Sequence, residues 1–144
     1  LDRLSGRAGS ERVSGRAIFL DRDGVLNVRP PEHDYVRSAA DFRWLPGAAD
    51  GAARLGRSGY VLAVVSNQRG VARGLLTWDV LEEIERLIQS ELVHRGARIE
   101  AFRYCPHDLN EGCSCRKPNP GMILSLADEL ELDVARSWTI GDSV

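Results

Sequence analysis

The chain has 144 residues, 43% of them apolar and 28% charged, with a formal net charge of −2. This is enough for one soluble domain with a real hydrophobic core, and it excludes a disordered chain. The arginines are scattered among acids, so no long-range attraction for nucleic acid is expected. No apolar run approaches the length of a membrane span and the N-terminus lacks the apolar core of a secretory signal, so the expected location is cytoplasmic, with no membrane partner.

Residues 1–16 are rich in Arg, Ser and Gly without a hydrophobic period and read as a flexible lead-in, leaving 17–144 as the domain. The first apolar run, Ile18 to Leu20, reads as a buried strand that ends in Asp21, Arg22, Asp23 and Gly24. In open α/β sheets ligands bind at the C-terminal edge of the strands. Two carboxylates confined there suit a hard cation such as Mg²⁺, while the alternative is an ordinary Asp/Gly turn. The residues by themselves leave both readings open.

Residues 28–45 form a long connection of the kind that shapes a substrate pocket. Pro46 and Gly47 open a short alanine-rich helix, Ala48 to Arg57, closed by Ser58 and Gly59. Tyr60 to Val65 reads as a central parallel strand ending in Ser66, Asn67 and Gln68, either a second set of ligand-binding groups or a simple polar turn. Thr77 caps a helix whose Val80, Leu81, Ile84, Leu87, Ile88 and Leu92 share a core-facing stripe, with Gly96 as the stop. Ile99 to Tyr104 predicts a third strand, Met122 to Leu132 a third helix, and Ser137 to Ile140 a fourth strand ending in Gly141 and Asp142. Strands alternating with helices predict an α/β fold built from parallel βαβ units.

The three cysteines of the chain, Cys105, Cys113 and Cys115, fall together and are joined by His107. An odd, clustered set without a secretory signal argues for metal rather than disulfides. Two ligand pairs, each with one spacer, can close a loop around a tetrahedral Zn²⁺. All four positions would be filled by protein, so this zinc would order the loop and perform no chemistry.

Four blocks in this order resemble the haloacid-dehalogenase (HAD) superfamily of phosphohydrolases: Asp21–Asn27 (DRDGVLN), Ser66–Gly74 (SNQRGVARG), Cys105–Met122 (CPHDLNEGCSCRKPNPGM) and Gly141–Ser143 (GDS). Within it they resemble the subfamily of heptose 1,7-bisphosphate 7-phosphatases and histidinol-phosphate phosphatases. The resemblance implies a Rossmann-like, three-layer parallel sheet without a large cap domain, plus the zinc loop. It implies that Asp21 is the nucleophile of an aspartyl-phosphate mechanism and Asp23 the general acid and base. Mg²⁺ would be held by Asp21, Asp142 and the backbone carbonyl of Asp23. Ser66 would bind a phosphoryl oxygen, and Lys117, which without the resemblance reads as a solvated surface lysine, would supply a point charge against Asp21 and the phosphate. Asn67 and Arg116 would contact the substrate. The implied function is a Mg²⁺-dependent, monomeric phosphatase for the C7 phosphate of D-glycero-D-manno-heptose 1,7-bisphosphate. The alternatives are a histidinol-phosphate phosphatase and a non-catalytic zinc-loop binding module on the same fold. The family pattern has one more acid four positions after Asp142, which would fall beyond Val144, so the C-terminus is expected to be truncated.

Overall fold

The computed structural model of the chain describes residues 15–143, so the lead-in expected over 1–16 falls outside the described residues as far as residue 14. Gly15 and Arg16 already belong to the fold. The Gly15 amide donates to the Glu131 carbonyl, the Asp133 amide donates to the Gly15 carbonyl, and the Arg16 carbonyl accepts from Val61.

Four strands and three helices alternate: β1 (Ala17–Leu20), α1 (Ala48–Arg57), β2 (Val61–Asn67), α2 (Trp78–His94), β3 (Ile99–Cys105), α3 (Gly121–Glu129) and β4 (Trp138–Ile140). The strands form one parallel sheet in the order β3-β2-β1-β4. Successive residues of a strand face opposite sides, and both sides of β1 and β2 are covered, while the edge strand β4 is exposed. Ile18, Leu20, Leu62 and Val64 pack beneath α1 and α2, with Ala52, Ile84, Ile88 and Leu92 among the buried partners. Ala17, Phe19, Ala63 and Val65 pack beneath α3 through Met122 and Leu126. Each fully buried Leu, Ile or Phe in these layers contributes roughly 2 kcal/mol. The result is the three-layer α/β architecture expected from the sequence.

Thr77 accepts from the Val80 amide and starts α2, as its sequence predicts. Helix α3 is shorter than expected. It ends at Glu129, and the chain turns through Glu131 at φ 55 before Leu132 tucks into the lower core. The connection after β1 is less open than its composition suggests. Its two ends pair antiparallel through Asn27 and Trp44, and Val36 and Phe42 are buried in the upper core, so residues 28–45 form an anchored excursion over the sheet edge. Among the described residues, no helix is long and apolar enough to cross a membrane.

Candidate active site

β1 lies between β2 and β4, and the direction of winding reverses there: β2 and β3 extend to one side, while β4 lies on the other. A crevice opens at the C-terminal edge of a parallel sheet at such a switch point. Asp21 leaves β1 at this place, its amide donating to the Ile140 carbonyl at the end of β4. The cavity above it measures about 770 Å³ and is lined by Asp21, Asp23, Arg29, Asn67, Arg116 and Lys117, among others. A second cavity of about 440 Å³, beside α1, is walled mainly by Leu20, Val25, Leu26, Ala52, Leu55 and Ile140 and offers little polar chemistry.

Among the described residues, Asp21 is held through one oxygen. Its Oδ1 accepts from the Arg22 amide at 2.8 Å and lies 3.1 Å from Lys117 Nζ. Lys117 Nζ also donates to the Val65 carbonyl at 3.0 Å, so the ammonium is fixed between β2 and the carboxylate. Asn67 does something other than its sequence position suggests. Its Oδ1 accepts from the Lys117 amide at 3.0 Å and its Nδ2 donates to the Lys117 carbonyl at 3.3 Å. The side chain expected to read substrate is thus occupied in positioning the lysine's backbone, although Asn67 still lines the cavity.

Asp23 points into a network of donors. Its Oδ1 accepts from Arg22 Nη2 and from Asn27 Nδ2, both at 2.9 Å, and its Oδ2 accepts from Gln68 Nε2 at 2.9 Å. Burial alone would raise this carboxyl, but the Arg22 charge and the Asn27, Arg22 and Gln68 hydrogen bonds outweigh it and hold it below its ordinary 3.8. Ser66 is buried, and its Oγ accepts from the same Gln68 Nε2 at 2.9 Å, so Gln68 links the ends of β1 and β2. Gln68 belongs to the strand-end polar set noted in the sequence and Arg22 to the first motif block, but the sequence gives neither a role. Arg22 sits between two aspartates, yet it is fully buried.

Asp142 arrives from the end of β4 and rests against Gly24. A Cβ on Gly24, which adopts φ +84, would fall 1.9 Å from Asp142 Oδ2, so only glycine admits this approach. Arg29 closes on the same carboxylate from the 28–45 excursion, Nε to Oδ2 at 2.9 Å and Nη2 to Oδ1 at 3.0 Å. Asp21 and Asp23 line one polar cavity, Gly141 and Ser143 on either side of Asp142 line it too, and a cation is paired with both Asp21 and Asp142. An all-oxygen set of this kind fits a hard divalent ion such as Mg²⁺.

The second metal locus is well formed. Cys105 Sγ lies 3.1 Å from Cys115 Sγ, 3.5 Å from Cys113 Sγ and 3.4 Å from His107 Nδ1. His107 Nδ1 lies 3.2 Å from Cys115 Sγ, and all four ligand atoms fall within 4.8 Å of one another. Zn–S bonds of about 2.3 Å in a tetrahedron separate their ligands by about 3.7 Å, so the set fits Zn²⁺. Burial pushes the Cys105 thiol up to about 12. Desolvation works the same way on Cys113, but the Arg116 amide and the neighbouring thiols overcome it and bring that group down to about 6, a thiolate ready for metal. The loop then runs straight into Arg116 and Lys117 and is closed by the Gly121 amide donating to the Ser114 carbonyl. Arg116 lines the active-site cavity, with Nη1 buried and unpartnered among the described residues.

A switch-point carboxylate held by a lysine, with a second aspartate two residues on and a third at the end of the neighbouring strand, defines a phosphatase of the HAD type. Residues 16–144 match the family described as polynucleotide kinase 3 phosphatase. A D-glycero-beta-D-manno-heptose-1,7-bisphosphate 7-phosphatase of Rhodopseudomonas palustris is 44% identical over 135 residues, covering 88% of this chain and 73% of the relative. The enzyme of the same name from Escherichia coli K12 is 38% identical over 135 residues, covering 89% and 69%. The crystal structure of D,D-heptose 1,7-bisphosphate phosphatase from B. bronchiseptica, complexed with magnesium and phosphate, superposes with a TM-score of 0.82 at 36% identity, covering 89% of this chain and 70% of that one. The chain belongs to the HAD superfamily of phosphatases, in the family of these heptose-bisphosphate phosphatases.

Proposed function

We propose that this chain hydrolyses the C7 phosphate of D-glycero-D-manno-heptose 1,7-bisphosphate, the beta anomer named for its relatives, through an aspartyl-phosphate on Asp21. The single observation that supports this best is the pairing of Asp21 Oδ1 with Lys117 Nζ in the wall of the switch-point cavity. Mg²⁺ would be held by the Asp21 and Asp142 carboxylates and the Asp23 carbonyl, and when bound it neutralises charge on the phosphoryl oxygens. Asp21 attacks phosphorus in line, and Lys117 holds the carboxylate and meets the charge that develops on the phosphoryl group. Ser66, whose oxygen already accepts from Gln68, donates its own proton to a phosphoryl oxygen.

Asp23 serves both halves of the reaction. The donors around it favour the carboxylate, which is the form that takes a proton from water in the second half. In the first half the substrate's phosphate dianion brings negative charge close to it, which raises its affinity for the proton it then gives to the departing sugar oxygen. Arg116, with an unpartnered guanidinium nitrogen in the cavity wall, reads the part of the sugar phosphate that is not cleaved. The protein acts as a monomer and needs no nucleic acid or membrane partner.

The experiment is phosphate release from heptose 1,7-bisphosphate, histidinol phosphate and an aryl phosphate in the presence of Mg²⁺, for the wild type and Asp21→Asn. The bisphosphate is expected to be turned over best, and the variant to stay folded while losing turnover by several orders of magnitude, since an amide cannot form the phosphoenzyme. Faster release from histidinol phosphate would replace the substrate assignment. Retained activity in Asp21→Asn would remove the covalent mechanism.

A further inference from the structure

Every acid of the site has its own base. Asp21 is paired with Lys117, Asp23 with Arg22, and Asp142 with Arg29. The three pairs are not built alike. Arg22 is fully buried, so it cannot leave Asp23 without being left uncompensated, and Lys117 is tied to β2 by the Val65 carbonyl. Arg29 is 56% exposed and grips Asp142 through a two-pronged contact of its Nε and Nη2. Among the described residues its side chain makes no other ion pair or hydrogen bond, and Pro30 and Pro31 follow it in the chain. Ordinary rotamer changes therefore swing its head through the cavity it shares with Lys117 and Arg116.

We propose that Arg29 is a transferable cation. It neutralises Asp142 while the acidic end of the site carries no metal, and it passes to the substrate's phosphate when a divalent ion takes Asp142. This rests on the reading of Asp142 as a Mg²⁺ ligand and goes beyond it. The planar fork that fits a carboxylate fits a phosphate equally well, so the same two nitrogens serve both partners. Charge is matched at each stage: the metal brings the positive charge that releases Arg29, and the phosphate dianion that follows receives it. Metal and phosphate are then coupled through one side chain, and by linkage each raises the affinity for the other. A fixed arginine on Asp142 would only compete with the metal.

Titration calorimetry of the intact chain separates the two halves of this inference, with Mg²⁺ alone and then with inorganic phosphate at saturating Mg²⁺. Arg29→Gln is expected to bind Mg²⁺ about two- to fivefold more tightly, the size of an exposed ion pair no longer in competition. The same variant is expected to bind phosphate about tenfold more weakly once Mg²⁺ is present. Arg29→Lys, which keeps the charge and loses the fork, is expected to bind Mg²⁺ like the wild type and phosphate with intermediate affinity. Unchanged or weaker Mg²⁺ binding in Arg29→Gln overturns the counter-ion role, and unchanged phosphate binding overturns the transfer. Arg29→Lys matching Arg29→Gln toward Mg²⁺ shows that charge is not the cause and also overturns it. If the wild type takes up no Mg²⁺ at all, the metal reading itself fails and this inference goes with it. Binding by the wild type with no gain in Arg29→Gln removes only the role of Arg29.

Discussion

Asp23, the proposed acid and base, also forms a structural pair with its fully buried neighbour Arg22. A carboxyl held below its ordinary value gives stability that is fully present above the unfolded value of 3.8 and is lost as pH falls through the folded one. Replacing Asp23 by Asn removes the carboxylate paired with the fully buried Arg22, and breaking such a pair costs about 3 kcal/mol. Thermal unfolding at pH 7 is therefore expected to show Asp23→Asn clearly less stable than the wild type. The gap should narrow as pH falls below 3.8 toward the lowered folded value, as acid protonates Asp23 in the wild type as well. A gap that does not change with pH would refute the charge explanation. Asp23 is legible in the sequence because two acids one residue apart at a strand end are conspicuous. Arg22 is not, since an arginine flanked by aspartates looks solvated whether or not the turn folds over it. Arg29 was equally silent, one arginine among many in a connection with no period.

At the level of elements, the end of β2 and the zinc loop act as one piece. Asn67 is paired in register with Cys105, the Gln68 amide donates to the Cys105 carbonyl, and the Ala72 amide donates to the Pro106 carbonyl. Asn67 then clamps Lys117 on the far side of the loop. Asn67→Ala is expected to lower turnover about tenfold or more while leaving bound zinc unchanged, because it frees the lysine's backbone without touching a metal ligand. Normal turnover in that variant would return Asn67 to the wall of the pocket. Cys113→Ser should have the complementary effect. About one equivalent of zinc in the wild type should be lost, and activity should fall without rescue by added Mg²⁺, because residues 105–121 would no longer hold Lys117. Zinc-free protein with full activity would refute a structural role. The strands and helices themselves were readable from apolar runs and caps, and the zinc ligands from the clustering of every cysteine. The role of Asn67 was not, because its partner is a backbone fifty positions away and leaves no local pattern. The early end of α3 was also hidden, since Leu130 and Leu132 continue the apolar period after the helix has stopped.

For the molecule as a whole, the sheet order decides where chemistry can happen. Parallel strands share one composition, so the sequence announces four of them and says little about which lies in the centre. Placing β1 between β2 and β4 brings Asp21, Ser66 and Asp142 to one edge although they are far apart in the chain. Lys117 joins them there, and it has a property visible only across the full length: it is the only lysine among the 19 basic residues, every other being arginine. The side-chain ammonium lodged between Val65 and Asp21 is thus a unique resonance as well as a charge. Protein grown with ¹³Cε-lysine is expected to give one side-chain cross-peak, which moves when phosphate enters the cavity and stays in place when an unrelated anion is added. A peak indifferent to phosphate would place Lys117 away from the bound group. The spectrum of this chain needs no assignment, because the single lysine makes the active site its own spectroscopic label.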